Sequence, residues 1–581
     1  MCLELDCIDT PGKAALRSMC EDHGIERVAV IGLSKTGEAV ASAFLKAGAD
    51  VVAVDDFPSD NVRDAAERLR LAIRGCKGKR PSLELLLGPV TQHADLPVKL
   101  GNFDLLVPSP GVAPSAPTME VLAASSRCLW SEIELAYAVL ARRCSIESTS
   151  RRLVAVTGTN GKTTTVKLIV HLLEQAGVRA DACGNIGTPM LAQVLGTELS
   201  PVIVAEVSSF QLRYTHTFAP DVSVFLNFAP DHLDWHPSIE DYARSKAQIF
   251  AAQKAGQFAV YSLDDKVVTK LADDYLSQGV TRIPFTTTKP YPGALYLGRE
   301  KVVLPSGEEL VIPHADQCGG VKERSSSVGP SIGSEPRASS TTGAWGDCGG
   351  RMAPADPRIV PREDMAAALG AISALGLDPA AALSACHGFA PPEHRLQLVA
   401  AIGHRTFVDD SKATNPHAVK AALSCFDSLV LIAGGRNKGL NFSELADAIA
   451  DHGGVRKVVC IGEAAPELEK VLEARGVETA VAQNMQEAVE LAWEASAPGD
   501  AVVLSPACAS FDWYRDYADR GKSFASAVER LRTNILGIHP DPSVAEGSCA
   551  ANADGVEANS DDLSQIFRPE AGGSNDDDSR G

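Results

Sequence analysis

A glycine-rich stretch at residues 158–163, Gly-Thr-Asn-Gly-Lys-Thr, combines the residue types that bind phosphate. Gly158 and Gly161 permit a tight turn that aims backbone N–H groups at an anion. Lys162 adds a positive charge, and Thr163 adds a hydroxyl of the kind that magnesium accepts as a ligand. The spacing between these glycines is shorter than in the common nucleotide-binding loop, G-x-x-x-x-G-K-[ST]. The stretch therefore predicts a variant phosphate-binding loop.

Acidic and histidine side chains follow predicted strands downstream of this loop. The run Val202–Ala205 leads into Glu206, and the run Val222–Leu226 leads towards Asp231-His232-Leu233-Asp234. A carboxylate at the tip of a buried strand beside a phosphate loop is typical of magnesium sites in nucleotide hydrolases. His232 by itself fits a hydrogen-bonded loop histidine as well as a metal ligand, and its position at a strand end favours the ligand.

Lys246 lies on a predicted helix that begins at Ser238, a helix-capping residue type with Asp241 three positions later. Because nearly all helix lysines are solvated surface charges, the residue pattern alone gives Lys246 that interpretation.

The elements that must position these side chains alternate between strands and helices. Upstream of the loop, the strand Val28–Gly32, the helix Glu38–Ala47 and the strand Val51–Asp55 predict a βαβ unit of the dinucleotide-binding type. Ser34 replaces the middle glycine of that fingerprint, so a tight turn that binds nothing is the alternative. A third strand at Phe103–Val107 ends in Ser109-Pro110-Gly111, at the sheet edge where α/β folds bind ligands.

Downstream of the loop, four strand-like runs separated by amphipathic helices predict another doubly wound α/β sheet: Thr406–Val408, Leu429–Ala433, Lys457–Ile461 and Ala501–Leu504. Polar clusters at residues 410–415, 434–438 and 505–512 follow three of them. These clusters predict a concave, partly cationic site for a small anionic ligand. Arg395, just before this region, fits either a phosphate contact or a local ion pair.

The predicted fold class is α/β with three domains: a Rossmann-like N-terminal domain, a central P-loop-type ATPase domain and a Rossmann-like C-terminal domain. The arginine- and serine-rich residues 142–152 predict the first linker. The three predicted domains cover residues 26–147, 148–395 and 396–537. Residues 1–25 are an extension without an assignable role, residues 315–356 are a flexible insertion in the central domain, and residues 538–581 are a disordered acidic tail.

Composition limits the classes of partner. The chain has 581 residues and a formal net charge of −20, and it lacks the basic stripe that a nucleic-acid-binding face needs. Its 14 cysteines include no Cys-x-x-Cys pair, which favours free thiols in a reducing compartment. The N-terminus lacks an apolar signal core, and no apolar run approaches the roughly 20 residues that span a bilayer. We expect a soluble, cytoplasmic protein that binds neither nucleic acid nor membrane.

Several sequence blocks, in this order, resemble the Mur ligase family. They are Gly-Thr-Asn-Gly-Lys-Thr, Glu-Val-Ser-Ser-Phe-Gln-Leu, Asp-His-Leu-Asp, Asp-Ser-Lys-Ala-Thr-Asn and Ser-Pro-Ala-Cys-Ala-Ser-Phe-Asp. The last two blocks point to the D-glutamate-adding member of the family. The similarity extends from about Arg27 to Leu531, and blocks in a fixed order are far more specific than one motif.

The resemblance implies ATP-driven amide formation in cell-wall precursor synthesis, by a monomer. ATP phosphorylates the carboxylate of UDP-N-acetylmuramoyl-L-alanine, and the amine of D-glutamate attacks the acyl phosphate. The implied cofactors are ATP and a pair of magnesium ions, whose ligands are Thr163, Glu206, His232 and a carbamylated Lys246. The implied catalytic residues are Lys162, Glu206, His232, Lys246 and Lys412.

The resemblance also assigns binding residues by position. Those expected around ATP are Gly158, Thr159, Asn160, Gly161, Lys162, Thr163, Thr164, Arg395 and Asp410. Those expected around the uridine diphosphate are Ser34, Lys35, Thr36, Asp55, Ser109 and Gly111. Asn185 and Gln211 are expected near ATP and the muramoyl group. Those expected around D-glutamate are Thr414, Lys438, Ser510, Phe511 and Tyr517.

Some residues depart from the family pattern. A His-Asn-x-x-Asn helix start that helps grip adenine reads Glu363-Asp364-Met365-Ala366-Ala367 here, so the family's adenine contacts do not carry over. Two alternatives stay open at this point. A folylpolyglutamate synthetase-like ligase would share the ATP core but should lack a UDP-type first domain and the 505–512 block. A non-catalytic, ligase-derived binding protein is favoured only by the altered helix start and the insertion.

Overall fold

The structure, a computed structural model, describes residues 10–74, 81–89, 102–298, 300–312 and 360–536. Within these ranges three mostly parallel β-sheets alternate with helices, which confirms the predicted mixed α/β class. Residues up to Glu529 belong to one compact unit and a second begins at Arg530. The predicted insertion at 315–356 and the predicted tail at 538–581 lie outside the described residues. No helix in the described ranges is long and apolar enough to cross a bilayer.

The first sheet has five parallel strands in the order β3-β2-β1-β4-β5. They are β1 Arg27–Ile31, β2 Asp50–Asp55, β3 Leu83–Leu87, β4 Phe103–Pro108 and β5 Ser126–Leu129. The helices of this region are α1 Pro11–His23, α2 Lys35–Ala47, α3 Asp60–Arg74, α4 Pro117–Ala124 and α5 Glu132–Glu147. The predicted βαβ unit is confirmed as β1-α2-β2. The sequence interpretation missed β3, so the strand at Phe103 is the fourth and not the third.

The interpretation of residues 1–25 as an extension without a role is wrong for α1. The Thr10 side chain accepts a hydrogen bond from the N–H of Lys13 at 3.2 Å, and Gly24, at φ 58°, ends the helix in a left-handed conformation. Leu16 and Met19 are buried, and the helix packs against α5 and α2. The helix is therefore part of the core.

The second sheet has nine strands in the order β14-β13-β12-β11-β10-β9-β6-β8-β7, antiparallel only among β12, β13 and β14. The strands are β6 Arg152–Thr157, β7 Ala180–Gly184, β8 Val202–Glu206, β9 Val222–Phe225, β10 Phe258–Ser262, β11 Thr281–Thr286, β12 Leu295–Leu297, β13 Lys301–Val303 and β14 Glu309–Val311. The helices are α6 Lys162–Gln175, α7 Met190–Leu195, α8 Ser209–Leu212, α9 Ile239–Ala251, α10 Lys266–Tyr275, α11 Arg362–Ala374 and α12 Pro379–Ala385. The predicted strands around Glu206 and the predicted Ser238 helix are confirmed.

Two local differences concern the ends of elements. The amphipathic pattern after the phosphate loop predicts a helix that begins at Val166, but helix α6 begins at Lys162. Gly161, at φ 81°, turns the chain directly into the helix. Helix α5 continues to Glu147, so the predicted linker 142–152 is wrong for its first six residues.

The third sheet has six strands in the order β15-β16-β20-β17-β18-β19, with β15 antiparallel at one edge. The strands are β15 Gln397–Ile402, β16 Arg405–Asp409, β17 Leu429–Gly434, β18 Val455–Ile461, β19 Thr479–Val481 and β20 Ala501–Ala507. The helices are α13 Pro416–Leu423, α14 Ser443–His452, α15 Ala465–Glu473, α16 Met485–Ala495 and α17 Tyr517–Leu536. The four predicted strands are confirmed, and the two edge strands β15 and β19 were missed.

Buried charged groups of α5 tie the first sheet region to the second. The Arg143 guanidinium, 1% exposed, donates to the carbonyls of Val194, Gly196 and Thr197 at 2.6–3.0 Å. The Glu134 carboxylate accepts the backbone N–H groups of residues 216–218 at 2.8–3.1 Å. Several short hydrogen bonds from buried charges hold these two regions in one arrangement.

Candidate active site

The register of the second sheet explains why the predicted phosphate residues meet. Strand β6 lies between β8 and β9, with Val156 opposite Glu206 and Thr157 opposite Phe225. The phosphate loop after β6 therefore begins beside Glu206 on one side and Asn227 on the other. Parallel strands bring their carboxyl ends to one edge of the sheet, which is where α/β folds bind ligands.

The phosphate loop is held by Asn227, a residue to which the sequence interpretation gave no role. Its side-chain oxygen accepts the N–H groups of Thr159 at 3.1 Å and Asn160 at 2.9 Å. Gly161 needs its missing side chain, because a Cβ there would lie 2.1 Å from Oδ1 of Asp364. Asn227 follows a strand end, as Glu206 does, so the same positional rule could have found it.

Two lysines meet at this loop. Lys162 Nζ donates to the carbonyls of Gly158 and Thr159, both at 2.9 Å, and Lys246 Nζ donates to the Gly158 carbonyl at 2.7 Å. Lys246 is 2% exposed, which overturns the surface-lysine interpretation from the residue pattern. Burial, helped by the charge of Lys162, holds the pKa of Lys246 well below its ordinary value.

Glu206 is buried and contacts two polar side chains, the buried Thr163 and the exposed Asn185. Its Oε2 accepts the Thr163 hydroxyl at 2.8 Å, and its Oε1 accepts the Asn185 amide at 2.9 Å. The structure thus brings together three of the predicted residues. Gln211 lies at the start of α8, where its side-chain oxygen accepts from the N–H and hydroxyl of Ser208, both at 3.0 Å.

His232 is partly exposed and lies close to the same lysines. Its backbone has φ 54°, and its ring contacts the Phe210 ring with 4.9 Å between centroids. Desolvation lowers the pKa of His232, and the charges of Lys246 and Lys162 lower it further against the attraction of Asp231. A neutral imidazole is the form that binds metal ions.

Magnesium fits these residues. Mg²⁺ uses one or two carboxylates together with waters and substrate phosphates, and here one carboxylate, Glu206, touches the hydroxyl of Thr163 at the end of a phosphate loop. Within the part of the chain that the structure describes, no group of three or more His, Cys, Asp and Glu side chains is placed to hold a metal. These residues fit a magnesium ion that is held partly by Glu206 and Thr163 and partly by the oxygens of a bound phosphate.

An arginine and several acids line a pocket beyond the loop. It is bounded by Gly161, Thr164, Asp364, Arg395 and Asp410, among others. Burial raises the pKa values of Asp364 and Asp410 to about 7 each, although Arg395 opposes this for both.

The altered helix start contacts the loop through Asn227, whose amide donates to Oε2 of Glu363 at 2.9 Å. Burial and the charge of Asp364 raise the pKa of Glu363 well above its usual range. A cavity of about 700 Å³ adjoins it, with Asp264, Thr287 and His417 in its lining. That space is large enough for a nucleoside.

The predicted D-glutamate residues come together only in part. Lys412 Nζ lies 5.2 Å from the centroid of the Tyr517 ring, and Ser510 is buried. Thr414 follows Lys412 in the same turn. Phe511 is 59% exposed, and Lys438 is exposed at the surface.

Arg520, which the sequence interpretation did not single out, joins two of these clusters. Its guanidinium donates to the hydroxyl and carbonyl of Ser411 and to the carbonyl of Cys508 at 2.8–3.1 Å. It is 1% exposed. No sequence signal distinguishes such an arginine from a surface arginine on a helix.

The predicted UDP-binding residues share the carboxyl edge of the first sheet. The Ser34 hydroxyl donates to that of Ser109 at 3.2 Å, and Asp55 accepts the N–H groups of Leu33 and Phe57 at 2.8 and 2.9 Å. Lys35 donates to the carbonyl of Gly187 in the second region. Thr36 follows Lys35 in α2, and Gly111 is exposed at the same edge.

The chain matches two family models: the Mur ligase middle domain over residues 156–304 and the Mur ligase, glutamate ligase domain over residues 394–508. It is 33% identical over 509 residues to a UDP-N-acetylmuramoylalanine–D-glutamate ligase of a Geobacillus species, covering 87% of this chain and 98% of the relative. It is 36% identical over 504 residues to an enzyme of the same name from Frankia casuarinae, covering 86% of this chain and 93% of the relative.

Among solved structures, a pseudomurein peptide ligase type C from Methanothermus fervidus is similar, with 15% identity, a TM-score of 0.47, and coverage of 87% of this chain and 100% of the other. The full-length relatives and both domain models agree with the resemblance carried by the sequence blocks. The chain belongs to the Mur ligase family.

Proposed function

We propose that this chain is an ATP-dependent ligase that joins D-glutamate to UDP-N-acetylmuramoyl-L-alanine, releasing ADP and phosphate, in peptidoglycan precursor synthesis. The proposal rests on the relatives of that name, which span nearly the whole chain. The observation that carries the chemistry is the contact of Thr163 and Asn185 with Glu206, beside a loop where Lys162 and Lys246 share one carbonyl.

Three regions divide the work in this proposal. The first sheet holds the uridine diphosphate at Ser34, Asp55 and Ser109. The second holds ATP on the phosphate loop, with the nucleoside in the cavity beside Glu363. The third holds D-glutamate near Lys412 and Ser510. This division corresponds to an N-terminal, a central and a C-terminal domain. That the enzyme is a cytoplasmic monomer stays a prediction.

The first step transfers the γ-phosphoryl group. The substrate carboxylate forms a bond to the γ-phosphorus while the bond to the ADP oxygen breaks. Such a transfer needs charge stabilisation more than covalent help, and Lys162, Arg395 and the N-terminus of α6 supply it. Magnesium would be held by Thr163, Glu206 and His232, where it neutralises charge on the phosphate oxygens.

The second step forms the amide. The D-glutamate amine attacks the carbonyl carbon of the acyl phosphate, loses a proton, and phosphate leaves. The amine must be neutral to attack. The site therefore has to bind the carboxylates of glutamate with positive charge and leave the amine unprotonated. Lys412, whose pKa is lowered by burial and by Arg395, lies in this region.

Lys246 enters the proposal as a carbamate. A neutral amine reacts with carbon dioxide, and burial of Lys246 against Gly158 favours the neutral amine. A carbamate would convert this cation into an anion compatible with a second magnesium ion.

Phosphate release in the presence of UDP-N-acetylmuramoyl-L-alanine, ATP and magnesium, measured with and without D-glutamate, tests the function. We expect release that depends on D-glutamate, with L-glutamate as the matched control substrate. Release with a folate acceptor would favour a folylpolyglutamate synthetase. If phosphate is released neither with UDP-N-acetylmuramoyl-L-alanine nor with the folate acceptor, a non-catalytic protein is favoured.

A further inference from the structure

The phosphate loop and the third sheet region are joined by a reciprocal pair of side-chain amides. Nδ2 of Asn415 donates to Oδ1 of Asn160 at 3.1 Å, and Nδ2 of Asn160 donates to Oδ1 of Asn415 at 3.2 Å. Asn415 is 9% exposed, so water competes little for these bonds. Oδ1 of Asn415 also accepts the N–H of Ala418, which fixes the orientation of this amide and, through the pair, that of Asn160.

A histidine completes the pair. Nδ2 of Asn160 also lies 3.1 Å from Nδ1 of His417. Since that amide nitrogen is a donor, Nδ1 accepts and the ring proton lies on Nε2. Burial lowers the pKa of His417, in agreement with a neutral ring.

Each amide is anchored to its own region by other bonds. Oδ1 of Asn415 also accepts the N–H of Ala418 at 2.9 Å and so caps α13. The backbone N–H of Asn160 donates to Asn227 at 2.9 Å. The pair therefore connects two structured elements, the capped helix start and the phosphate loop.

The position of the pair relates it to the two reacting groups. Asn415 directly follows Thr414, in the turn that begins at Lys412, where the proposed function places D-glutamate. Asn160 lies in the loop that holds the phosphoryl group. A displacement of one loop against the other would separate the amine from the acyl phosphate, and a displacement of about 1 Å can lower a rate roughly 100-fold.

We propose that Asn160 and Asn415 are a positioning pair, which sets the loop carrying Lys412 and Thr414 against the phosphate loop for the amide-forming step. The inference rests on the proposed function and deepens it. It predicts an unequal effect on the two steps: formation of the acyl phosphate stays close to normal, and its consumption by D-glutamate slows.

Asn415→Ser tests the pair without removing the cap, because serine caps helices as well as asparagine does but is too short to bridge to Asn160. Asn484→Ser is the matched control, since Asn484 caps α16 through the N–H of Glu487 at 3.0 Å and lies outside the proposed site. Thermal unfolding of both variants checks that the fold is kept.

The measurement follows the two steps separately. Acyl phosphate formed from UDP-N-acetylmuramoyl-L-alanine and ATP without D-glutamate is trapped by borohydride reduction to the alcohol, and turnover is then measured with D-glutamate. For Asn415→Ser we expect wild-type trapping and a kcat lowered by about 5- to 30-fold, the loss typical of two hydrogen bonds. Asn484→Ser should match the wild type in both.

Asn160→Ala combined with Asn415→Ser provides a second measurement. If the pair acts as a unit, the double variant loses less kcat than the product of the losses in the two single variants. Wild-type turnover in Asn415→Ser, or trapping that falls as much as turnover, would overturn the inference while leaving the proposed function intact. A wild-type chain without D-glutamate-dependent product would instead refute the proposed function, and the pair inference with it.

Discussion

At the scale of single residues, Lys246 has surroundings that no ordinary surface lysine has. Its side chain is buried, and Nζ donates a hydrogen bond to the Gly158 carbonyl. Burial and the charge of Lys162 lower the pKa of Lys246. Lys246→Ala should abolish turnover, because the proposed carbamate that would support magnesium can then not form. Added bicarbonate or acetate should restore part of the activity by supplying a carboxylate.

The control for this variant is Lys254→Ala, which removes an exposed lysine just beyond the same helix. It should leave the rate unchanged. Full activity in Lys246→Ala, measured as ADP formation, would remove the carbamate from the account.

The burial of Lys246 could have been anticipated in part. Tyr242, Lys246 and Phe250 recur at i, i+4 and i+8, so Lys246 lies on the buried stripe of α9. The pattern gives the face of the helix, but the carbonyl that receives the lysine comes from a loop distant in sequence, and no local pattern contains that information.

At the scale of elements, Glu132 connects α5 to α7 by accepting the N–H of Leu191 at 2.6 Å. Burial raises its pKa from 4.5 to about 7. Between these values the folded state binds more protons than the unfolded state, so this group's contribution to stability is complete below about pH 4.5 and is lost as the pH rises through 7.

Glu132→Gln should therefore become more stable relative to wild type as the pH rises from 5 to 8. The expected change in the difference in free energy of unfolding is on the order of 2–3 kcal/mol. Urea unfolding at several pH values measures it, with the exposed Glu120→Gln as the charge control. A difference that is constant with pH would show that Glu132 does not titrate in this range.

The sequence predicts central strands far better than peripheral elements. Strands such as β6 and β17 are buried on both faces, so their apolar runs are continuous. The short edge strand β19 has partly exposed side chains, and its pattern is correspondingly weak. Helix α1 carried its signals, Thr10 as a cap and Pro11 at its first turn, so that omission was avoidable.

The sequence likewise predicts some residues of the candidate site and misses others. Strand ends predicted that Glu206, Asp55 and Ser109 would lie at ligand-binding edges, because parallel strands align their carboxyl ends. Arg520 joins two loops of the third sheet region that are distant in sequence. Asn415 contacts Asn160 of the second sheet region, so its partner depends on how the sheets pack against one another. That packing is a property of the whole chain.

At the scale of the whole molecule, Arg143 is one of the buried side chains that tie the first sheet region to the second. Arg143→Ala leaves the carbonyls of Val194, Gly196 and Thr197 without their donor. We expect a loss of about 2–4 kcal/mol in the free energy of unfolding, since unpaired buried acceptors carry a desolvation cost. Thermal or urea unfolding checks this.

Arg142→Ala is the neighbouring control. Arg142 forms a partly exposed ion pair with Asp22, and such pairs contribute at most about 1 kcal/mol. Equal losses in the two variants would contradict the assignment of Arg143 as a buried tie between these regions.

The central claim is that the phosphate loop transfers a phosphoryl group to the substrate carboxylate. The most direct measurement uses UDP-N-acetylmuramoyl-L-alanine labelled with ¹⁸O in the alanyl carboxylate, with ATP, magnesium and D-glutamate, and mass spectrometry of the products. The account predicts that ¹⁸O appears in the released phosphate together with ADP, because the carboxylate oxygen that attacks phosphorus leaves with it. Label in AMP, or unlabelled phosphate alongside new peptide product, would contradict it.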